Sequence, residues 1–275
     1  MIRAGSARTW VREWYRSHWI EGREAMRFRN LSVLGLALAL ANLTFLSVIA
    51  APGRQSSLAP AVTISYESHF STPQPLPSGP LDQVFEVVDL DPGAATAIHF
   101  HLGPGFATVL QGEVTHHRFA LDHEMQYAMG DTWVELPQDV HFARNDAGSG
   151  ASILATFILP SRADISIPTT DQPDPAPPGP TVPDLARVAV ASPAADFEIT
   201  QLERTYDPGA QTSGTLASGQ AVVLVTSGQL TVQSGKSLQK FGPGDFWVES
   251  SELPSMSWND TTSTATAVVS MITPE

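Results

Sequence analysis

Residues 91–145 read DPGAATAIHFHLGPGFATVLQGEVTHHRFALDHEMQYAMGDTWVELPQDVHFARN, and residues 207–259 read DPGAQTSGTLASGQAVVLVTSGQLTVQSGKSLQKFGPGDFWVESSELPSMSWN. The second stretch repeats the first. An offset of 116 carries Asp91-Pro92-Gly93 to Asp207-Pro208-Gly209, Val109 to Val225, Gly112 to Gly228 and Thr115 to Thr231. After a loop two residues shorter in the second copy, an offset of 114 carries Gly130-Asp131 to Gly244-Asp245, Trp133-Val134-Glu135 to Trp247-Val248-Glu249 and Asn145 to Asn259. Self-similarity at a fixed offset marks a duplicated unit.

Each copy is built from short runs rich in Val, Ile, Thr and aromatics, such as VFEVVDL, FATVLQG and DTWVEL in the first and QAVVLVTSG and DFWVES in the second. Pro-Gly, Gly-Pro and Asp-containing turns break them, and neither copy holds a long helical period. Strands at this spacing point to an all-β sandwich or barrel.

Residues shared by both copies are expected to serve the fold, and residues confined to one copy to serve chemistry. Six of the eight histidines lie between His99 and His141, and none follows His141. By the offsets His99 maps to Thr215, His101 to Ala217 and His141 to Ser255. His99 and His101 are i and i+2 on a strand, so both point to one face, and a closed sheet can bring His141 across to them. Neutral imidazole is the commonest metal ligand, and three with open positions make a catalytic-type site. One divalent metal held by His99, His101 and His141 is therefore expected.

Those residues and the turn glycines resemble the cupin superfamily, and the duplication resembles a bicupin. The first cupin motif, G(x)5HxH(x)3-4E(x)6G, is met by Gly93, His99, His101 and Gly112; the second, G(x)5PxG(x)2H(x)3N, by Gly130, His141 and Asn145. The resemblance implies two cupin-type β-barrels (double-stranded β-helix, or jelly roll), at 81–170 and 184–275, the first of metal type and the second degenerate. Gly105 stands where the first motif has its glutamate ligand; Pro137 is one position late and Gln138 replaces a glycine. A three-histidine site resembles the cupin dioxygenases acting on thiols or diketones more than the manganese oxalate-degrading branch. Fe(II) is then the favoured ion, with Mn, Zn, Ni and Cu compatible.

His116, whose counterpart is Val232, is the candidate catalytic, proton-transferring group if it faces inward; a bulge would instead turn it out with His117. His123 falls in a turn. Glu113 and Glu135 are the available carboxylates: Glu113 alternates outward, and Glu135, shared with Glu249, is expected to serve the fold or the surface. Asn145 and Asn259 are expected to satisfy loop backbone. The second barrel is expected to be structural, or to bind a ligand without metal.

Outside the barrels, Leu31 to Ala51 is 21 residues without a charge, long enough to cross about 30 Å of hydrocarbon as a single N-terminal helix. Met1 to Asn30 carries seven Arg against three Glu, and Ala51 to Glu275 carries eight Lys+Arg against 25 Asp+Glu. The positive-inside rule places the head in the cytoplasm and the acidic body outside. Met26 followed by a short basic run, with small residues near Ala50, also fits a cleaved secretory signal and a later start. Residues 52–80 form a spacer with one strand at Val62–Tyr66, and 171–183 a Pro-rich linker. The net charge of -13 argues against nucleic acid, and zero cysteines exclude thiolate sites and cysteine nucleophiles. Partners are then a small-molecule ligand or substrate and the membrane, in a monomeric bicupin or a homodimer. A non-enzymatic ligand-binding or sensory module is the alternative to a metalloenzyme.

Overall fold

The computed structural model describes residues 60–71, 76–190, 197–214, 216–252 and 254–274. The basic head and the apolar span 31–51 lie outside the described residues, within which every regular element is a strand. The first half holds β1 (Val62–Phe70), β2 (Leu81–Leu90), β3 (His99–Phe100), β4 (Gly105–Gln111), β5 (Glu113–Arg118), β6 (His123–Ala128), β7 (Thr132–Glu135), β8 (His141–Arg144), β9 (Ala151–Pro160) and β10 (Ile167–Pro168). The second holds β11 (Thr181–Ala189), β12 (Phe197–Tyr206), β13 (Gln211–Gly214), β14 (Gln220–Ser227), β15 (Leu230–Ser234), β16 (Ser237–Phe241), β17 (Phe246–Ser250), β18 (Ser255–Trp258) and β19 (Ala265–Pro274).

These form two jelly-roll barrels, each of two antiparallel sheets. The first barrel has orders β11-β2-β9-β4-β7 and β10-β3-β8-β5-β6; the second has β1-β12-β19-β14-β17 and β13-β18-β15-β16. The shared residues do hold turns and strand ends in both. Gly112 and Gly228 take φ of 75° and 72°, and a Cβ there would come within 2.6 Å of Gly150 O or 2.7 Å of Ala265 Cα. Asn145 Nδ2 donates to Leu90 O and Ser149 O, as Asn259 Nδ2 does to Tyr206 O and Ser263 O. Trp133 Nε1 donates to Glu135 Oε1 at 2.9 Å, and Trp247 Nε1 to Glu249 Oε1 at 3.1 Å.

The outer strands are exchanged. β1 runs beyond the strand expected at Val62–Tyr66 and pairs with β12 of the second barrel, while β11 starts inside the Pro-rich stretch and pairs with β2 of the first. Each exchange covers a sheet edge that would otherwise present unpaired backbone groups. Between the barrels, Phe85, Val87 and Leu154 pack on Val222, Leu224 and Val268. Thr156 and Ser270 occupy equivalent positions and meet, Oγ1 to Oγ, at 2.8 Å, as expected where a pseudo-twofold axis passes.

Because β2 is buried on both faces, its side chains divide between two cores. Phe85 and Val87 face the second barrel, and Val88 and Leu90 line the interior of the first with Val109, Val114 and Trp133. Glu86 alternates onto that interior face.

Candidate metal centre

β3 and β8 place His99 directly opposite His141. His101 follows two residues later on the same side, and the three are 6%, 1% and 1% exposed. The rings lie 4.5 to 5.1 Å apart, and His99 Nε2 is 3.2 Å from His101 Nε2. A one-residue slip makes this meeting possible. Ala95 bridges Arg144, yet His99, not Ile98, opposes His141, whereas the second copy runs without a slip from Gln211↔Trp258 to Gly214↔Ser255. The register counterpart of His99 is therefore Gly214 and not the Thr215 given by sequence offset. Bulges of this kind re-aim side chains next to functional sites.

Backbone carbonyls fix the ring orientations. His99 Nδ1 faces Ala97 O at 2.6 Å, His141 Nδ1 faces Asp139 O at 2.8 Å, and His101 Nδ1 faces Ile165 O. Each Nδ1 can only donate there, which leaves Nε2 of a neutral ring as an acceptor turned toward the others and lets Nε2 of a protonated His101 donate to Glu135. The frame behind them is tied down as well. Arg118 Nε donates to Asp139 Oδ2 at 2.6 Å. Gln172 clasps the backbone of Ile98, accepting from its N–H at 2.9 Å and donating to its carbonyl at 2.7 Å. Gln138 takes a φ of 63° where the cupin motif has glycine, and its N–H donates to His101 O at 2.8 Å. The left-handed conformation strains an L residue, so Gln138→Gly is expected to raise stability by up to ~1 kcal/mol, read from the denaturation midpoint.

Glu135 corrects the sequence reading. It does serve the fold through Trp133, but it is not a surface residue: it is 7% exposed and stands inside the histidine cluster. Its Oε2 lies 3.1 Å from His101 Nε2, and its Oε1 lies 3.4 Å from His141 Nε2 and 3.6 Å from His116 Nε2. His116 faces inward, 2% exposed and stacked on Trp133, so the outward bulge does not occur. Two ligand groups result, His99/His101/His141 and His116/Glu135/His141, and in each the ligand atoms lie within 4.8 Å of one another. Ligands about 2.1 Å from a shared ion lie roughly 3.0–3.4 Å apart, which is the separation the closest of these atoms have.

Burial shapes the electrostatics. It holds the imidazoles of His99, His116 and His141 below their ordinary range, His116 at about 3 and His141 at about 4. Burial also opposes ionisation of Glu135, but the fields of His141, His101 and His116 and the hydrogen bond from His101 outweigh it and hold the carboxyl well below the usual range. For His101, burial is likewise outweighed by Glu135, and the pKa rises. Glu86, which lies unremarked inside an apolar-looking strand, has its carboxyl pushed up by burial to about 7. Its counterpart is Leu202, so it too belongs to the first copy alone.

The equivalent volume of the second barrel is filled by protein. Ser255, in place of His141, donates to Glu249 Oε1 at 3.1 Å, and Arg204 Nη1 lies 3.7 Å from Glu249 Oε2. Val88 occupies the position of Arg204 in the first barrel. A buried carboxylate is thus compensated by a guanidinium in one barrel and surrounded by imidazoles in the other.

The remaining sequence candidates stand apart from the cluster. His117 is half-buried between Phe119 and Phe142, His123 opens β6 in solvent, and Glu113 points outward. A surface depression of about 100 Å³ is lined by Glu113, Thr115, Gln126, Asp146 and Ala147, with no histidine among them.

No protein-family model and no curated protein matches the sequence. Among solved structures, oxalate decarboxylase from Bacillus subtilis at pH 4.6 is similar at 13% identity and a TM-score of 0.50, over 77% of this chain and 77% of that one. A point mutant of the same enzyme gives 13% and 0.50 over 75% of this chain and 77% of its own. At this identity the likeness shows the fold, and the fold is the bicupin one.

Proposed function

We propose that His99, His101 and His141 hold one divalent ion in the first barrel, in a protein anchored through residues 31–51 with both barrels outside the cytoplasm. The observation that carries this reading is the orientation of the imidazoles. With every Nδ1 engaged by a carbonyl, the Nε2 atoms of neutral rings are acceptors, and those of His99 and His101 stand 3.2 Å apart, a separation that requires a shared cation between them, a proton or a metal ion. When bound, such an ion supplies Lewis acidity and, as Fe or Mn, redox chemistry at its open positions.

The chain's own groups do the rest. The carbonyls of Ala97, Asp139 and Ile165 orient the ligands, and the Phe157 ring packs on His101 with its centroid 4.4 Å away. His116 is the candidate proton acceptor, held neutral by burial and with its Nε2 free of any hydrogen bond. The reaction is read as oxidation of a small molecule, dioxygenase-type chemistry ahead of isomerisation or hydrolysis. Gly105 is the sole ground for setting aside a carboxylate-containing ligand set, and Glu135 removes that ground. Oxalate therefore joins the compounds to be tried.

The test is turnover by the full-length protein loaded with Fe(II) or Mn(II), followed by oxygen uptake and carbon dioxide release on thiols, diketones, phenolics and oxalate. Activity that disappears in His99→Ala/His101→Ala supports the enzyme; metal binding without turnover on any class favours the ligand-binding module. His116→Gln is expected to lower turnover by roughly 10²-fold with metal content unchanged. Gln172→Ala, which frees the backbone before His99, is expected to weaken Mn(II) binding by about tenfold while costing only ~1 kcal/mol of stability. Titration and thermal melting of that variant separate the two effects.

A further inference from the structure

We propose that Glu135 supplies a fourth, carboxylate ligand to the ion in the first barrel, reaching it from β7 because the residue opposite, Gly105, has no side chain. The inference rests on the three-histidine reading and adds to it a ligand from another strand. Gly105 and Glu135 are direct cross-strand partners. A Cβ at residue 105 would stand 2.8 Å from both Glu135 Oε2 and Phe157 Cε1, so the carboxylate and the Phe157 ring share the space that a side chain there would claim. The motif's carboxylate has in effect moved across the strand pair.

The second barrel shows the alternative arrangement of the same residues. There Ala221 opposes Glu249, and the glycine is at 214, the register position of His99. A Cβ at 214 would be 2.1 Å from Glu249 Cδ, so this carboxylate lies where the first barrel has its histidine, with Arg204 within 3.7 Å. In each barrel the glycine marks the side to which the shared glutamate turns. In the first, it turns to Nε2 of two of the three ligands, His101 and His141, and of His116, and Val88 stands where the second barrel has Arg204. A carboxylate with three imidazoles favours a divalent ion that accepts mixed nitrogen and oxygen ligands, Mn(II) or Fe(II), over a soft one.

The test is Mn(II) titration of the full-length protein, with free and bound Mn(II) read by electron paramagnetic resonance. Wild type should bind one ion per chain. Glu135→Gln keeps an acceptor for Trp133 Nε1 and should weaken binding by at least tenfold and change the spectrum of bound Mn(II). Gly105→Ala, which crowds the carboxylate and Phe157 while replacing no histidine, should weaken it too; Glu249→Gln should leave it unchanged. Thermal melts establish that each variant is folded, and if Glu135→Gln is not, Gly105→Ala decides. Binding within twofold of wild type and an unaltered spectrum in both first-barrel variants, with binding abolished in His99→Ala, would overturn the carboxylate while leaving the three histidines in place. Absence of binding by wild type would overturn both.

Discussion

Replacing Arg204 with Val is expected to destabilise the protein by about 3 kcal/mol, the cost of leaving the buried Glu249 carboxylate without its partly buried partner 3.7 Å away. The position takes Val in the first copy, so the side chain is compatible with the strand and the loss falls on charge. Glu249 is fully buried, and its remaining contacts are neutral donors, Trp247 Nε1 and Ser255 Oγ. Guanidinium denaturation of wild type and Arg204→Val measures the difference, and Arg204→Val/Glu249→Gln should recover most of it. An unchanged midpoint would mean that Glu249 needs no cation beside it. The result bears directly on the first barrel, where Glu135 sits in the same frame with Val88 at the guanidinium's position.

Acid should destabilise the metal-free protein steeply. His116 and His141 have folded pKa values of about 3 and about 4, against an ordinary 6.5, and burial lowers His99 in the same direction. The stability held by such groups is complete above about 6.5 and is lost as pH falls toward the folded values, because the unfolded chain takes up protons that the folded one refuses. Glu86 works in the opposite sense: its folded value of about 7 lies above the ordinary 4.5, so it costs stability as pH rises through that interval. Between pH 6.5 and 4.5 the difference is one to two protons, or about 2 kcal/mol per pH unit. Below 4.5, Glu135 adds to the fall. Denaturation midpoints of the EDTA-treated protein at pH 7, 5.5 and 4.5 check this, and a flat or rising series would contradict it. Glu86→Gln should steepen the acid decline and raise stability at pH 8.

The duplication made much of this legible. Residues common to the copies, Gly112, Asn145 and Trp133 among them, hold turns and strand ends in both barrels, and four of the six histidines of the first copy, His99, His101, His116 and His141, converge. The same comparison misjudged Glu135, because one carboxylate can bond a tryptophan in both copies and still face imidazoles in only one. The signal that could have found it was Gly105, an empty position directly opposite. The slip between Ala95 and His99 is invisible to sequence offsets, since a bulge changes register without changing length. The exchange of β1 and β11 was obscured by the prolines around them, and Glu86 by its place in a strand whose two faces serve different cores.

Elemental analysis of the purified full-length protein, beside His99→Ala/His101→Ala, decides whether the first barrel holds a metal. About one divalent ion per wild-type chain and none in the folded variant are expected. No ion in wild type after supplementation with Fe, Mn, Zn, Ni and Cu, or one ion retained by the variant, would overturn the three-histidine site.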